Sequence, residues 1–373
     1  MSTHICLVSA QAAPNLLPVL NPEIKPNEVV LLVSAKMQSA ADALQAVLLE
    51  LGIRVSTIAL ENEHSYADIE QTLLSVAEDR VGQEILLNLT GGTKLMALVA
   101  QSVAQAYQWR SFYVDMDTDA IVWLDQQTPG EKLGEQLRLT HYLKSYGFDL
   151  VEKPQRPQIT PQQRELTQTL ITQIGSLEGA LTQLNWLAQQ AEDNRQLQVR
   201  MDERQQDSRN LEALLRHFET AAALSVNNGT IQFPSEAARD FVKGGWLEHH
   251  VFNRVCALTG ALGIRDKAMN LEVTNQGVKN ELDIALMARN RLFVIECKTA
   301  RMDKPEAPKA NDTLFKLAEN CRRIGGLGTR GMLASYRPLR DSEKKLAKAL
   351  NIQIVCSQEL RDLDARLRSW IGR

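Results

Sequence analysis

The sequence predicts an α/β protein built from two globular units and a helical connector, and three observations predict it. Residues 4–125 alternate short apolar runs with helical patterns. Residues 162–223 are rich in Gln, Glu, Arg and Leu, without Pro and almost without Gly. Residues 224–373 return to mixed strands and helices. At 373 residues the chain is long enough for each unit to bury its own core. The expected division is 1–150, 151–223 and 224–373.

In the first unit the strands read HICLVSA, EVVLLVSA, RVSTIAL, EILLNLT, SFYVDMD and AIVWLD. Helices are expected over Ser39–Leu51, Tyr66–Arg80 and Thr93–Tyr107. Strands apolar on both faces and alternating with helices indicate a parallel, doubly wound sheet. The last two strands, joined by a tight Asp/Thr turn, form an antiparallel hairpin at its edge. KPQRPQITP, with three prolines, marks the boundary. Beyond it, LTQTLITQIGSLEGALTQLNWLAQQ has apolar residues at three- and four-residue steps and is helical, and MDERQQDSRNLEALLRHF reads as an exposed helix. The last unit runs from the strand NNGTIQF through helix, Gly-Gly break and helix (EAARDFVKGGWLEHHVFNRVCAL). A hairpin follows (NELDIALMARNRLFVIECK), then a basic loop, a helix, the strand MLAS, and a closing helix, strand (IQIVCS) and helix.

Composition excludes several function classes. A net charge of −3 gives no global basic footprint for non-specific nucleic-acid binding, although a local basic groove is compatible with it. Five cysteines, odd in number and without a CxxC pair, indicate neither a disulfide framework nor a zinc site. The N-terminal run lacks the basic lead-in and length of a signal peptide. No apolar run approaches the ~18 residues of a membrane span. A cytoplasmic chain with no membrane association is expected.

The chemistry concentrates in the hairpin. With Arg289-Asn290 at the turn, Ala288 opposes Arg291, Leu286 opposes Phe293 and Ile284 opposes Ile295. Extended further, this register sets Asp283 opposite Glu296 and Glu281 opposite Lys298. Opposed residues share a face. One face, Leu282, Ile284, Leu286, Phe293, Ile295 and Cys297, is apolar; the other becomes charged at its far end. Facing carboxylates are unfavourable unless one is protonated or a cation lies between them. A hard divalent cation, Mn²⁺ or Mg²⁺, takes such oxygen ligands, lowers the pKa of a bound water and polarises a phosphate. Lys298 is placed to hold that water or balance charge on phosphate oxygens. An isolated Glu-x-Lys would read as a solvated strand end; the acidic pair before the turn and the apolar face behind weigh against that. In VKGGWLEHHVF, Glu248 falls in the first turn of the helix after the Gly-Gly break and projects toward this cluster. His249 and His250 are adjacent on a helix and do not share a face, so they read as packing or surface.

WLE, NELD and IECK, in this order, resemble the PD-(D/E)xK restriction-endonuclease-like nuclease core, a three-layer α/β/α domain, with Leu282-Asp283 in place of the family's Pro-Asp. The resemblance implies Asp283, Glu296, Lys298, Glu248 and the adjoining Glu281 as catalytic, with Asp283, Glu296 and Glu248 holding the metal.

In the first unit, EILLNLTGGTKLMALVAQ runs a strand into Thr90-Gly91-Gly92-Thr93-Lys94 and a helix. Glycines permit close backbone approach, and a helix N-terminus presents free N–H groups to an anion. The turn is neither GxGxxG nor a Walker A loop, which removes the best support for NAD or ATP. A phosphate site is favoured over a plain helix cap. Two other strands end alike, in LVSAQ and LVSAK. LNLTGGTKLMA and these strand-end serines resemble the CARF domain, the Rossmann-like sensor of cyclic oligoadenylates in type III CRISPR defence. Joined to the nuclease motif, the whole resembles the CARF–nuclease effectors of that system. This implies a homodimer binding a cyclic activator, commonly cyclic tetra-adenylate, through Ser9, Gln11, Ser34, Thr90, Gly91, Gly92, Thr93 and Lys94. It also implies a metal-dependent nuclease that cuts DNA, and in some members single-stranded RNA. Three rivals stay open: a constitutive restriction or repair nuclease, a non-catalytic sensor that binds nucleic acid, and a sensor domain that cleaves its own activator. Lys304, Lys309, Arg322 and Arg323 are basic residues near the hairpin whose plain reading is a solvated surface.

Overall fold

The structure, a computed structural model, describes residues 2–125, 129–134, 137–151, 159–300 and 309–372. The first unit comprises β1 (Ser2–Leu7), α1 (Ala13–Leu20), β2 (Glu28–Val33), α2 (Gln38–Glu50), β3 (Arg54–Ala59), α3 (Tyr66–Glu78), β4 (Glu84–Asn88), α4 (Lys94–Ala106), β5 (Arg110–Asp115), β6 (Ala120–Trp123), β7 (Glu131–Lys132) and α5 (Leu139–Ser145). Its sheet has the order β3-β2-β1-β4-β5-β6-β7. The first five are parallel, and β6 turns back on β5 as the expected hairpin. Alternate residues of β1, continued by Val8 just after it, feed opposite cores: Ile5 and Leu7 pack with α3 and α4, Cys6 and Val8 with α1, α2 and α5. Helix α1, which the sequence pattern did not announce, holds Pro14 in its first turn, where the missing N–H costs nothing, and Pro18 inside.

The remainder comprises β8 (Asp149–Leu150), α6 (Pro161–Thr172), α7 (Ile174–Asp193), β9 (Gln198–Arg200), α8 (Glu203–Gln206), α9 (Arg209–Thr220), β10 (Ser225–Asn227), β11 (Thr230–Gln232), α10 (Glu236–Asp240), α11 (Trp246–Ala257), β12 (Asp266–Asn275), β13 (Val278–Ala288), β14 (Arg291–Lys298), α12 (Lys309–Gly325), β15 (Arg330–Ser335), α13 (Asp341–Ala349), β16 (Ile352–Cys356) and α14 (Leu363–Ile371). The second sheet has the order β16-β15-β14-β13-β12-β8, with β9, β10 and β11 forming a small sheet of their own. Helices cover both faces of the second sheet. This is the mixed α/β architecture expected.

The connector is not free-standing. Leu170, Leu181 and Leu184 of α6 and α7 share one core with Trp246 and Val251 of α11 and with Ile284 and Ile295 of the hairpin. The stretch expected as an exposed helix is instead two helices, α8 and α9, and α9 buries Leu211, Leu214, Leu215 and Phe218. Those four recur at helical spacing, so the charges between them lie on the outer face only. The two units also meet directly. Strand β8 pairs with β12, the Tyr142 hydroxyl of α5 donates to the Gly325 carbonyl at 2.7 Å, and the core beneath α5 continues into Leu271, Val273 and Leu314. Most of the proline-rich boundary (152–158) and the basic loop around Lys304 (301–308) lie outside the described residues. Among the described residues no helix is long and apolar enough to cross a membrane.

Candidate functional site

The hairpin turn forms at Arg289-Asn290, both with positive φ, and the ladder runs from Ala288–Arg291 to Ile284–Ile295 as expected. It stops there. The Asp283 carboxylate accepts a hydrogen bond from the Cys297 backbone N–H at 2.7 Å, so a side chain takes the place of the next ladder bond. The backbone pairs Asp283–Glu296 and Glu281–Lys298 therefore do not extend the ladder. Leu282 also differs from expectation. It packs in the core on the far side of the sheet, with Ala285 and Met287, while Ile284 stays with Phe293 and Ile295. Residues two apart in a regular strand share a face. The alternation breaks at Asp283, opposite Asn270, whose φ is +51°, a bulge-like irregularity that re-aims a side chain.

That break brings the acidic residues together. Lys298 Nζ lies 2.6 Å from Glu296 and 4.0 Å from Asp283. Glu248 enters from the first turn of α11. A π turn over Phe241–Gly245 precedes it, and a Cβ on Gly244 would stand 2.6 Å from the Thr299 hydroxyl, so glycine allows α11 to seat this close to β14. Glu248 is pushed up to about 8, by burial first and then by Asp283. Asp283 is also raised, by burial and by Glu296. Burial opposes the charge on Lys298, but Glu296 and Asp283 outweigh it and hold its pKa above the ordinary value. Glu281 contributes to the rise at both Glu248 and Asp283. All five expected residues thus act on one another. His249 and His250 are packed and kept neutral, each lowered to about 4 by burial.

Whether these residues suit a divalent cation turns on two observations. The donors are hard carboxylate oxygens whose mutual repulsion already disfavours ionisation, which a cation would relieve. Among the described residues, however, no three His, Cys, Asp or Glu side chains converge in a preformed metal cage. The donor set fits Mn²⁺ or Mg²⁺ in kind.

Glu248, Glu281 and Lys298 line a cleft of about 920 Å³ together with Asn185, Trp186, Gln189, Lys243, Thr299 and Arg337, none of which the sequence had singled out. Asn185 fastens α7 across this cleft: its amide accepts from the Thr299 hydroxyl and donates to the Lys243 carbonyl, each at 3.1 Å. A lone Trp amid Gln and Asn in LTQLNWLAQQ was the one signal available.

In the sensor sheet, Ser9, Ser34 and Thr90–Lys94 follow β1, β2 and β4, which are neighbours and parallel, so they gather at one edge. Gly91 has a packing reason of its own: a Cβ there would stand 1.9 Å from the Leu7 carbonyl oxygen. Gly92 takes φ +71°. Thr93 caps α4, accepting from Met96 N at 3.2 Å; it and Lys94 are exposed, while Ser34 is buried. The Thr90 hydroxyl is engaged within the fold, donating to Asn88 and accepting from Val114 N, both at 2.7 Å. Gln11 stays beside Ser9, donating its N–H to the Ser9 hydroxyl at 3.3 Å, and its side chain accepts from the Leu327 N–H of the second unit at 3.2 Å. Ser9, Gln11 and Thr90 line a seam cavity of about 340 Å³ together with Asn290 and Arg291. There the Arg291 guanidinium bonds the Met116 carbonyl and pairs with Asp117 at 2.9 Å. The turn of the β13–β14 hairpin thus rests on the β5–β6 turn of the first unit. Arg322 pairs with Glu319 at 3.0 Å and Arg323 bonds Asn280, so both have partners within the fold.

Comparison with known proteins places the two halves separately. Residues 3–142 match the family model "Card1 CARF domain" and residues 235–373 match "Card1-like, endonuclease domain". Comparison with curated proteins found no match. Among solved structures, protein VC1899 from Vibrio cholerae superposes with a TM-score of 0.91 at 27% identity, over 100% of this chain and 98% of its own. Can2 from Sulfobacillus thermosulfidooxidans, in complex with cyclic tetra-adenylate, superposes with a TM-score of 0.86 at 27% identity, over 100% of both chains. A type III CRISPR defence DNA nuclease activated by cyclic oligoadenylate shares the fold, with a TM-score of 0.59 at 21% identity, over 90% of this chain and 45% of its own. The sensor match and the nuclease match come from one kind of protein and stand in one order along the chain, which belongs to the Card1-like family of CARF-domain nucleases.

Proposed function

We propose that this nuclease is a cytoplasmic effector of type III CRISPR antiviral defence, a divalent-metal-dependent endonuclease that cuts DNA when a cyclic oligoadenylate, cyclic tetra-adenylate in the first instance, occupies its sensor. The observation that carries the catalytic half is the mutual electrostatic contact of Glu248, Asp283, Glu296 and Lys298 beside a cleft that Glu248 and Lys298 line. Such a spread of carboxylates around one lysine is costly as a mere strand end and is the donor set phosphodiester hydrolysis needs. Mn²⁺ or Mg²⁺ held by Asp283, Glu296 and Glu248 would supply an activated water and a polarised phosphate. Lys298, fixed by Glu296, presents its ammonium where the phosphate's negative charge grows. Asp283 is held in place by the Cys297 N–H. Glu281 adds negative potential at the rim.

The sensor half is supported by the gathered strand ends and by the cyclic tetra-adenylate bound to the similar Can2 protein. Two copies with their sensor edges facing would close a twofold pocket on the ring, with Gly91, Gly92 and Lys94 toward its phosphates. The seam at Gln11 and Arg291 then carries the sensor's arrangement to the hairpin, because a ligand that favours one dimer arrangement favours whatever hairpin position goes with it.

The test is cleavage of supercoiled plasmid and of labelled single strands of DNA and RNA with Mn²⁺, with and without cyclic tetra-adenylate, beside a Glu296→Ala control. Cutting that requires the nucleotide and disappears in the variant is the expected result. Cutting without nucleotide would reduce the sensor to a scaffold. Nucleotide binding with no cutting would make the chain a sensor only.

A further inference from the structure

Trp186 is 55% exposed on α7, although its neighbours Leu184 and Leu187 are fully buried. It takes no part in the cluster those two belong to. A tryptophan left in water forgoes a large hydrophobic gain. What could cover this one is set by where it stands. It lines the cleft that holds Glu248, Glu281 and Lys298 together with Phe241 and Lys243, a mix of apolar and charged groups that suits a base on a charged backbone better than a wholly apolar protein segment. Its helix is also fixed in place. Asn185, the preceding residue, is bonded to Thr299, next to Lys298, and to the Lys243 carbonyl, within the π turn that precedes Glu248. Arg337 ties the same helix to the end of β15 through Glu178 and Thr182. The ring is therefore held at a set position relative to the catalytic lysine. An aromatic face beside phosphodiester chemistry suits a nucleobase, which has a π-face whatever its identity.

We propose that Trp186 is a stacking platform for one unpaired base of the strand being cut. This rests on the nuclease reading above and adds to it the part of the substrate that the α7 wall recognises. A base in a closed duplex has both faces occupied by its neighbours, so only an unstacked one can use the ring.

The experiment measures binding rather than cutting. The full chain carrying Glu296→Gln, with cyclic tetra-adenylate present, is titrated with single-stranded oligonucleotides in which an abasic linker is walked along the sequence. With Trp186 in place, one position is expected at which loss of the base weakens binding about tenfold, within the range base–aromatic stacking supplies. Trp186→Ala should weaken binding to the intact strand by a similar factor and abolish the sensitivity at that position, while Trp186→Phe keeps part of it. Unchanged affinity in Trp186→Ala would overturn the inference, as would penalties that simply multiply. A change of oligomeric state in Trp186→Ala would also overturn it, by assigning the ring to a contact between copies. Binding that never depends on Trp186 leaves the nuclease reading intact, whereas failure to bind any oligonucleotide defeats both.

Discussion

Arg291 is where the CARF domain touches the β13–β14 hairpin, and its replacement by alanine gives a quantitative test of that seam. Its side chain is 14% exposed, whereas its partner Asp117 is 92% exposed. The ion pair is therefore worth little, of order 0.2–1 kcal/mol after solvent screening. The stronger contact is the charged hydrogen bond to the Met116 carbonyl, for which ~1.5–3 kcal/mol is typical. Truncation should thus remove about 2 kcal/mol of interaction between the units. If that contact differs between the resting and activated arrangements, up to about thirtyfold of the coupling between nucleotide and cleavage passes through it. The assay is plasmid cleavage against cyclic tetra-adenylate concentration, with nucleotide affinity measured separately by calorimetry. In Arg291→Ala the ratio of stimulated to unstimulated rate should fall at least about tenfold. Asp117→Ala should lower it only a fewfold, because the carbonyl bond survives, and the double variant should be no worse than Arg291→Ala. Full stimulation in Arg291→Ala, or single effects that add independently, would refute the reasoning.

Three further outcomes follow from the same geometry. His4 is fully buried in β1 beside Phe112 and lowered from 6.5 to about 4 by burial, with the Ile24 backbone pulling weakly the other way. The unfolded chain takes up this proton first, so stability is intact above pH 6.5 and falls as pH drops toward 4, by up to roughly 3 kcal/mol. His4→Leu should make that part of the urea-measured stability profile shallower, with His249 and His250, lowered likewise, carrying the remainder. Gly91→Ala would drive a Cβ into the Leu7 carbonyl, and because that atom is backbone, a loss of about 1–3 kcal/mol together with weakened nucleotide binding is expected in thermal melts and calorimetry. Arg337 is buried and bonds Glu178 and Thr182 of α7, while Glu178 itself is 39% exposed. Arg337→Met should therefore cost about 2 kcal/mol rather than the ~3–5 of a fully buried pair, and should raise KM for the nucleic acid more than it lowers kcat, since it loosens the wall of the cleft.

Much of this protein was legible in one dimension because much of it is governed by short-range rules. Strand and helix periods set the order of β1 to β6 and placed the sensor serines and the glycine turn at strand ends. The Arg289-Asn290 turn set the hairpin register out to Ile284 and Ile295, and the spacing of Glu296 and Lys298 put them side by side. Glu248 could be aimed at them because the Gly-Gly break sits two residues ahead of Leu247. What the tertiary structure decided begins where distant elements meet. Period-two reasoning put Leu282 beside Ile284 and carried the ladder to Glu281, but a break opposite Asn270 turned Leu282 into the other core and made the Asp283 side chain a backbone partner. Composition made α9 look exposed, yet its four apolar residues are buried in the core it shares with α7 and the hairpin. Trp186 as a wall of the cleft and Arg291 as the seat of the hairpin on the sensor depend on which surfaces come together across more than a hundred residues of chain. No local pattern encodes that choice: it is made by the sum of all the buried faces at once.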